Sequence, residues 1–257
     1  MTGWKRLLCR VLLPLALWLG LWQFLSVQVG LALLLPSPWQ VLTALSQLCR
    51  TALFWRSALA TLCRIFLGGA LGVLVGAAVA VLSAWWGPAD WALTPMMKIV
   101  RATPVASFIV LIWLWAKAGW VPVVIAALMS APVAWGAVAQ GIQSTDPDLL
   151  EMAGAYRFSP WKRVRLIYIP SVLPAFMAGC RTALGLAWKA GVAAEVLCRP
   201  RWALGTQVYN AKLSMETAHL FAWTAVVVAL SFLVEKALWG LWGRWDRRER
   251  RRGYGAS

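Results

Sequence analysis

Long apolar stretches that alternate with short charged segments are the feature that most restricts the fold of this chain. The stretch at 58–83 contains a single charged residue, Arg64. Hydrophobic residues make up 61% of the 257 residues and charged residues only 13%, which is the composition of a membrane protein. Because a helix satisfies its own backbone hydrogen bonds in lipid, the sequence predicts an all-α protein that crosses a membrane several times.

The apolar stretches suffice for six transmembrane helices, since about 20 residues cross a bilayer core of about 30 Å. We place them at 11–28, 58–83, 95–115, 121–142, 172–196 and 220–239. The apolar run of the third is too short to span unless its helix begins near Pro95 and carries Lys98 and Arg101 at its polar end. Four residues of the second span have the spacing that lets helices pack closely in lipid: Gly68, Gly69, Gly72 and Gly76.

A Pro-Ser-Pro sequence at 36–38 predicts a short amphipathic helix after the first span. Ser37 is a favourable N-cap and Pro38 a favourable first helical residue. Leu42, Leu45 and Cys49 fall on one face of this helix, so we expect it to lie at the membrane interface.

Lys and Arg residues set the expected orientation, because cytoplasmic loops carry an excess of them. With the N-terminus inside, 15 of these residues fall in cytoplasmic segments and 6 on the opposite side. The cytoplasmic ones are Lys5, Arg6, Arg10, Lys98, Arg101, Arg157, Lys162, Arg163, Arg165, Arg244, Arg247, Arg248, Arg250, Arg251 and Arg252, and the others are Arg50, Arg56, Lys117, Arg199, Arg201 and Lys212. We therefore expect both termini in the cytoplasm. The same distribution accounts for most of the net charge of +16, so the charge does not indicate a nucleic-acid partner.

The predicted organisation has three parts. Residues 1–57 form the N-terminal span and a periplasmic interfacial helix, residues 58–243 form the core with a cytoplasmic loop at 145–170, and residues 244–257 form a basic cytoplasmic tail. The five cysteines, at positions 9, 49, 63, 180 and 198, have no metal-ligand spacing, so we predict free thiols and no metal site.

The segment 145–170 is the longest polar, helix-forming segment between two apolar spans. Its start, Thr145-Asp146-Pro147-Asp148, offers a capping residue, a proline for the first turn and acids near the positive end of the helix dipole. Ser159-Pro160 starts a second helix, which Pro170 is expected to end. The first helix has an apolar stripe made of Leu149, Leu150, Ala153 and Tyr156.

This loop resembles the signature of the permease subunits of bacterial ATP-binding-cassette (ABC) importers. That signature reads E-A-A, three residues, G, nine residues, I, one residue, L-P. The chain keeps the spacing, with Glu151-Met152-Ala153 at the start, Arg157 where the glycine falls, Ile167, and Ile169-Pro170 at the end.

The sequences around the loop, at 144–150 and 173–188, resemble the nitrate, sulfonate and taurine branch of these importers, as does Leu35-Pro36-Ser37-Pro38. The resemblance implies a type I importer permease fold, with a five-helix core plus an N-terminal helix, in the bacterial inner membrane. It implies a second permease copy, most simply a homodimer, two ATP-binding subunits and an external solute-binding protein. ATP and Mg would belong to the partner ATPase, since this chain has no GxxxxGK[ST] phosphate loop and is not expected to be an enzyme.

The resemblance also assigns contact with the ATPase to one set of loop residues: Asp148, Glu151, Ala153, Gly154, Arg157, Ser159 and Pro160. Arg157 departs from the family pattern, because only glycine takes a left-handed turn freely. Three arrangements are open at this point. The turn shifts toward Phe158-Ser159, the first helix runs on, or Arg157 forms a salt bridge with an acid of the ATPase. A solvated arginine without a functional contact is the alternative to that salt bridge.

Charged side chains at membrane depth are costly and often functional. Lys189 and Glu195 of the fifth span are six positions apart and do not face each other, so Glu195 is expected to pair with His219 or Lys212. Lys189 on the solute pathway would suit an anionic or carboxylated solute, and a structural role is the other interpretation for both residues. Arg64 is expected to reach the membrane surface with its long side chain.

Two other function classes compete with an importer permease. An intramembrane enzyme needs a nucleophile and a base, or paired carboxylates and histidines, at one depth, and spans with one histidine, His219, offer no such set. A stand-alone ion-coupled carrier or channel that uses Glu195 is the alternative. The residues do not identify the solute, although the branch that the chain resembles favours a small organic or inorganic anion.

Overall fold

Helices and short turns form the described part of the chain, which contains no strand and confirms the predicted all-α class. The computed structural model describes the backbone of residues 13–253 and side chains up to Ala237. The helices are α1 (Leu13–Val29), α2 (Pro38–Cys49), α3 (Ala52–Trp85), α4 (Gly87–Ala102), α5 (Val105–Trp113), α6 (Val121–Gln143), α7 (Pro147–Ala155), α8 (Pro160–Arg163), a π-helical turn (Val164–Tyr168), α9 (Ile169–Cys198), α10 (Leu204–Leu213) and α11 (Thr217–Gly253). The first residues of the predicted span at 11–28, and the side chains of the predicted tail at 244–257, lie outside the described residues.

Four helices of the described chain are long and apolar enough to cross a membrane. They are α3, α6, the continuous helix Pro160–Cys198 and the Thr217–Ala237 part of α11. The pair α4 and α5 makes a fifth if it counts as one span, and α1 is apolar but has only 17 residues within the described range. The six-span topology with cytoplasmic termini therefore stays a prediction.

The third predicted span is not one helix, and this expectation was wrong. α4 already begins at Gly87, and α5 is bent by 103° from it at the break Thr103-Pro104. Proline has no N–H to continue the helix, and it pushes the residue before it out of the helical region. Thr103 accordingly has φ −77° and ψ 135°.

The short helix α2 begins as predicted, with Ser37 as its N-cap and Pro38 at its start. Ser37 Oγ accepts from the N–H of Gln40, whose side chain accepts from the N–H of Ser37, which completes a capping box. Val41 and Ala44 are buried, because they pack against Ala222 of α11, while Leu42 is 57% exposed. The location of α2 at the membrane interface stays a prediction.

Three helices, α3, α6 and α9, form the centre of the bundle through small residues. A β-carbon at Gly68, Gly72 or Gly76 of α3 would clash with the backbone of α6, at the carbonyls of Val123, Ala127 and Ala131, respectively. These glycines confirm the predicted close packing, since the absence of side chains lets two helix backbones approach each other. On the α9 side of α3, Gly69 faces Leu184.

The helix that follows the polar loop does not end at Pro170, and this prediction was also wrong. α8, the π-helical turn and α9 run on without a break from Pro160 to Cys198. The N–H of Ile169 bonds to the carbonyl of Val164, five residues earlier. This wider turn accommodates the proline, which has no N–H and would otherwise clash with the preceding turn.

Candidate coupling loop and charged groups within the helices

The loop between α6 and α9 is held at its base by buried contacts. Thr145 is buried and donates from Oγ1 to the carbonyl of Gly141 at 3.3 Å. Gly141 lies so close to α9 that a β-carbon there would be 2.9 Å from the Cα of Val172. α7 then begins with Asp146 as its N-cap, whose carboxylate accepts from the N–H of Asp148 at 3.0 Å. The predicted helix start is confirmed.

The turn after α7 stays at Arg157, which is the position of the family glycine. Arg157 has φ 47°, in the left-handed region. Its N–H donates a hydrogen bond to the carbonyl of Gly154 at 3.0 Å, and the N–H of Phe158 donates one to the carbonyl of Ala153 at 2.9 Å. These two bonds form a complete Schellman motif. The expectations that the turn would shift or that α7 would run on were wrong, because the two bonds satisfy the carbonyls at the helix end and offset the strain of the left-handed residue.

The second arm of the loop starts where the sequence predicted. Ser159 is the N-cap, and its Oγ accepts from the N–H of Lys162 at 3.4 Å. The Lys162 ammonium also lies 4.3 Å from the centre of the Phe158 ring, a cation–π contact that ties the turn to α8.

Six of the seven predicted coupling residues are exposed: Asp148, Glu151, Gly154, Arg157, Ser159 and Pro160. Ala153 differs from them, because it is fully buried and anchors α7 to the rest of the protein. The loop therefore exposes both an acid-containing helix and a left-handed arginine.

Sequence reasoning missed large apolar side chains on this surface. Tyr156 and Trp161 are each 73% exposed, and Leu149 and Met152 are about 40% exposed. The sequence placed Tyr156 and Leu149 on a stripe with Ala153, but only Ala153 of these is buried. The position of Trp161 directly after an N-cap and a proline, ahead of two basic residues, is the signal that marks it as a surface residue.

Glu195 is fully buried within a polar network that joins α3, α9 and the turn into α10. Its Oε2 accepts from Thr61 Oγ1 at 2.8 Å and from the N–H of Gly205 at 3.2 Å. Its Oε1 lies 3.6 Å from Nη1 of Arg64. Arg64 in turn donates to the carbonyls of Arg201 and Trp202, each at 3.0 Å.

The predicted partners of Glu195 were wrong. His219 pairs with Glu216, at 3.4 Å between Nδ1 and Oε2, and Arg64 is the cation beside Glu195. Thr61 and Arg64 are three residues apart on α3 and thus share one helix face. That spacing was the available signal for a common partner.

Lys189 lies elsewhere on α9 and is exposed. It lines a cavity of about 470 Å³ between α9 and α11, which also contains the ion pair of Arg181 and Glu235, 2.7 Å apart. The structure therefore separates the two predicted pathway residues, since Glu195 is enclosed and Lys189 faces open space. A larger cavity of about 780 Å³ lies between α9, α6 and the α4–α5 break, and it shares Ala178 and Thr182 with the first cavity.

Between residues 13 and 237 we find no group of three or more His, Cys, Asp or Glu side chains that could hold a metal ion. Cys49, Cys63, Cys180 and Cys198 are free thiols. Cys9 lies outside the described residues.

Comparison with known proteins agrees with the signature in the loop. Residues 71–238 match the family model described as "Binding-protein-dependent transport system inner membrane component". The chain is 28% identical to the taurine transport system permease protein TauC of Escherichia coli (strain K12), over 84% of this chain and 81% of that protein. It is 30% identical to the riboflavin transport system permease protein RibX of Chloroflexus aurantiacus, over 78% and 75% of the two chains.

Solved structures show the same fold. An amino acid ABC transporter matches with a TM-score of 0.65 at 21% identity, over 79% of this chain and 97% of that chain. A bacterial ABC transporter involved in alginate import matches with a TM-score of 0.61 at 16% identity, over 94% of this chain and 98% of that chain. Together with the family match over residues 71–238, these findings confirm the resemblance seen in the loop. The chain belongs to the family of binding-protein-dependent transport system inner membrane components, which are the multi-pass permeases of ABC importers.

Proposed function

We propose that this chain is the membrane-spanning subunit of an ATP-driven importer that couples to a separate ATPase through the loop at 145–170. The geometry of that loop is the observation that supports the proposal most directly. Ala153 of α7 is buried, while the charged Glu151 and Arg157 and the aromatic Tyr156 and Trp161 of the same loop are exposed. A surface with exposed aromatic side chains and charges is the kind that binds a protein partner.

The rest of the assembly follows from the family. Two copies of the permease pair, two ATP-binding subunits bind the loops from the cytoplasm, and ATP and Mg bind to those subunits. An external solute-binding protein delivers the solute, which makes the bacterial inner membrane the site of action. Both termini are then cytoplasmic, in agreement with the distribution of Lys and Arg.

The solute that we propose is a small organic or inorganic anion. Relatives of this chain are permeases for taurine, aliphatic sulfonates and bicarbonate. A riboflavin permease and a formylaminopyrimidine permease are also relatives, so a heterocyclic solute is the other candidate.

The geometry of Glu195 does not favour a stand-alone ion-coupled carrier. A coupling acid must exchange protons or ions with water, but Glu195 is fully buried and is bound by Thr61, Gly205 and Arg64. We propose a structural role for this residue.

Charge reversal in the loop tests the proposed function. The chain is co-expressed with the ATPase subunit of the same importer, and the two are co-purified from detergent and reconstituted for ATP-dependent uptake. Glu151→Lys and Arg157→Glu should each weaken ATPase retention at least tenfold, as loss of a central contact does in protein interfaces.

Two matched charge reversals serve as controls. Glu216 is 59% exposed and lies at the turn between α10 and α11, and Arg50 is exposed at the end of α2. Glu216→Lys and Arg50→Glu should leave ATPase retention unchanged. The proposal is refuted if Glu151→Lys and Arg157→Glu also retain the ATPase and the uptake of the unmodified chain.

A further inference from the structure

One face of α9 is polar although this helix is long and apolar enough to span a membrane. The polar face consists of four exposed residues: Arg181, Thr182, Gly185 and Lys189. At about 100° per residue, these positions fall within an arc of about 100°. Ala183, Ala187 and Ala190 lie outside this arc and are buried. Because ionisable side chains within a membrane face a protein interior or a water-filled cavity, this face of α9 does not suit lipid.

The charges along the polar face do not cancel. Arg181 is 2.7 Å from Oε1 of Glu235 on α11, and both side chains are 46% exposed. Lys189 has no hydrogen bond or ion pair within the part of the chain that the structure describes. The ion pair therefore neutralises one cation and leaves the Lys189 ammonium as the uncompensated charge.

The cavity between α9 and α11 brings a further donor to this charge. Its volume of about 470 Å³ lies in the range of small-molecule sites. Trp188 lines it next to Lys189 and is only 5% exposed, and its indole Nε1 is buried without a hydrogen-bond partner in the described residues. Ser231 adds a hydroxyl from α11. The Trp188 nitrogen is enclosed by protein and is therefore not a donor to a ligand in the cavity.

We propose that this cavity binds an oxyanion, such as a sulfonate, carboxylate or sulfate, and that Lys189 supplies the counter-charge. Ser231 adds a hydroxyl to the polar wall. Glu235 does not repel the anion, because its carboxylate is held by Arg181. This inference rests on the proposed function, since it places the anion on the path of the importer.

A thiol at the wall of the cavity reports its charge preference. In a full-length chain whose native cysteines are changed to alanine, Ser231→Cys is modified by anionic sulfonatoethyl methanethiosulfonate and by its cationic trimethylammonium counterpart. Lys189→Met should lower the anion-to-cation ratio of modification rates about tenfold, because two unit charges within a Debye length interact appreciably. Lys189→Arg should keep the ratio. An unchanged ratio in Lys189→Met overturns the proposal, and Gly185→Cys on α9, which lines this cavity and has open space at its β-carbon, repeats the test if Ser231→Cys does not fold.

Lys236 provides the matched control. It neighbours Glu235 on α11 and is exposed, but it does not line the cavity. Lys236→Met should leave the rate ratio unchanged. An equal fall in Lys236→Met would mean that the reagents sense the general surface charge, which also overturns the proposal.

A lipid headgroup carries the same oxyanion chemistry, so the ligand source is tested separately. The Ser231→Cys chain is placed in nanodiscs of phosphatidylcholine, with sulfate or ethanesulfonate as the free anion, or in nanodiscs that contain phosphatidylglycerol. Protection from modification by sulfate or ethanesulfonate in phosphatidylcholine supports a transported anion. Protection by phosphatidylglycerol alone overturns it.

The ATPase assay separates a failure of this inference from a failure of the proposed function. Lys189→Met should still co-purify with the ATPase, because its position is remote from the loop at 145–170. Loss of the anion preference together with retained ATPase binding supports both proposals. Retention of the ATPase by the loop variants would refute the proposed function and leave the rate ratios as an independent measure of the cavity.

Discussion

Thr61 of α3 and Glu195 of α9 are 134 positions apart in the chain and are joined by a hydrogen bond of 2.8 Å between Oγ1 and Oε2. The same Thr61 oxygen accepts from the N–H of Leu204 at 2.9 Å. Thr61, Glu195 and Leu204 are all fully buried. One hydroxyl therefore connects two helices of the bundle with the start of α10.

Removal of this hydroxyl should destabilise the protein. Thr61→Val keeps the shape of the side chain but leaves the Leu204 N–H without an acceptor and takes one donor from the Glu195 carboxylate. We expect a loss of about 1–3 kcal/mol, the cost of an unsatisfied buried polar group, measured by thermal unfolding in detergent. Thr224→Val is the control, because the Thr224 hydroxyl is exposed and bonds only within α11, to the carbonyl of Leu220. Equal losses in the two variants would contradict the role of the network.

Arg157 should destabilise the turn at the end of α7, in which it adopts the left-handed conformation. A residue with a β-carbon pays about 1–2 kcal/mol in the left-handed conformation, and glycine does not. Arg157→Gly should therefore strengthen the end of α7. The expected result is an amide at Phe158 that exchanges with deuterium about fivefold more slowly, the equivalent of about 1 kcal/mol.

Arg157→Ala separates the backbone effect from the loss of charge. Alanine also lacks the guanidinium but keeps the β-carbon, so exchange at Phe158 should stay at the level of the unmodified chain. If alanine and glycine slow the exchange equally, the strain does not come from the left-handed backbone of residue 157.

Close approach of α3 and α6 predicts opposite effects for two glycines. Gly72→Ala would place a methyl group against the carbonyl of Ala127 and the hydroxyl of Ser130, and overpacking of this kind costs about 1–3 kcal/mol. Gly136 of α6 has no atom within 4 Å of its potential β-carbon. Gly136→Ala should be neutral or stabilising, because alanine is favoured over glycine in a helix by about 0.5–1 kcal/mol. Thermal unfolding of both variants in the same detergent measures the difference, and a Gly72→Ala protein as stable as Gly136→Ala would contradict the packing.

The sequence predicts those parts of the structure that depend on composition along the chain. α6 lies within one residue of its predicted bounds, because the length of an apolar run is a local property. The errors occur where particular backbone hydrogen bonds or contacts between distant residues determine the structure. Pro170 continues a helix because a π-helical turn precedes it, and Arg157 keeps a left-handed turn because two backbone hydrogen bonds hold it. The spacing of Thr61 and Arg64 indicates a common partner but does not identify it as Glu195, which lies more than a hundred residues later in the sequence.

The exposed aromatic side chains of the loop should carry much of the ATPase affinity. Trp161 is 73% exposed at the start of α8, so its removal should cost the isolated chain little stability. Tryptophan is, however, among the residues whose loss weakens protein interfaces most. Trp161→Ala should weaken ATPase binding about 10- to 100-fold and leave the thermal unfolding of the permease unchanged. Trp39 of α2 is 72% exposed and lies on the opposite side in the proposed topology, so Trp39→Ala should leave ATPase binding intact. Titration of the labelled ATPase subunit onto both variants in nanodiscs measures the two affinities. If the Trp161→Ala and Trp39→Ala proteins bind the ATPase equally well, the aromatic surface of the loop is not the docking site.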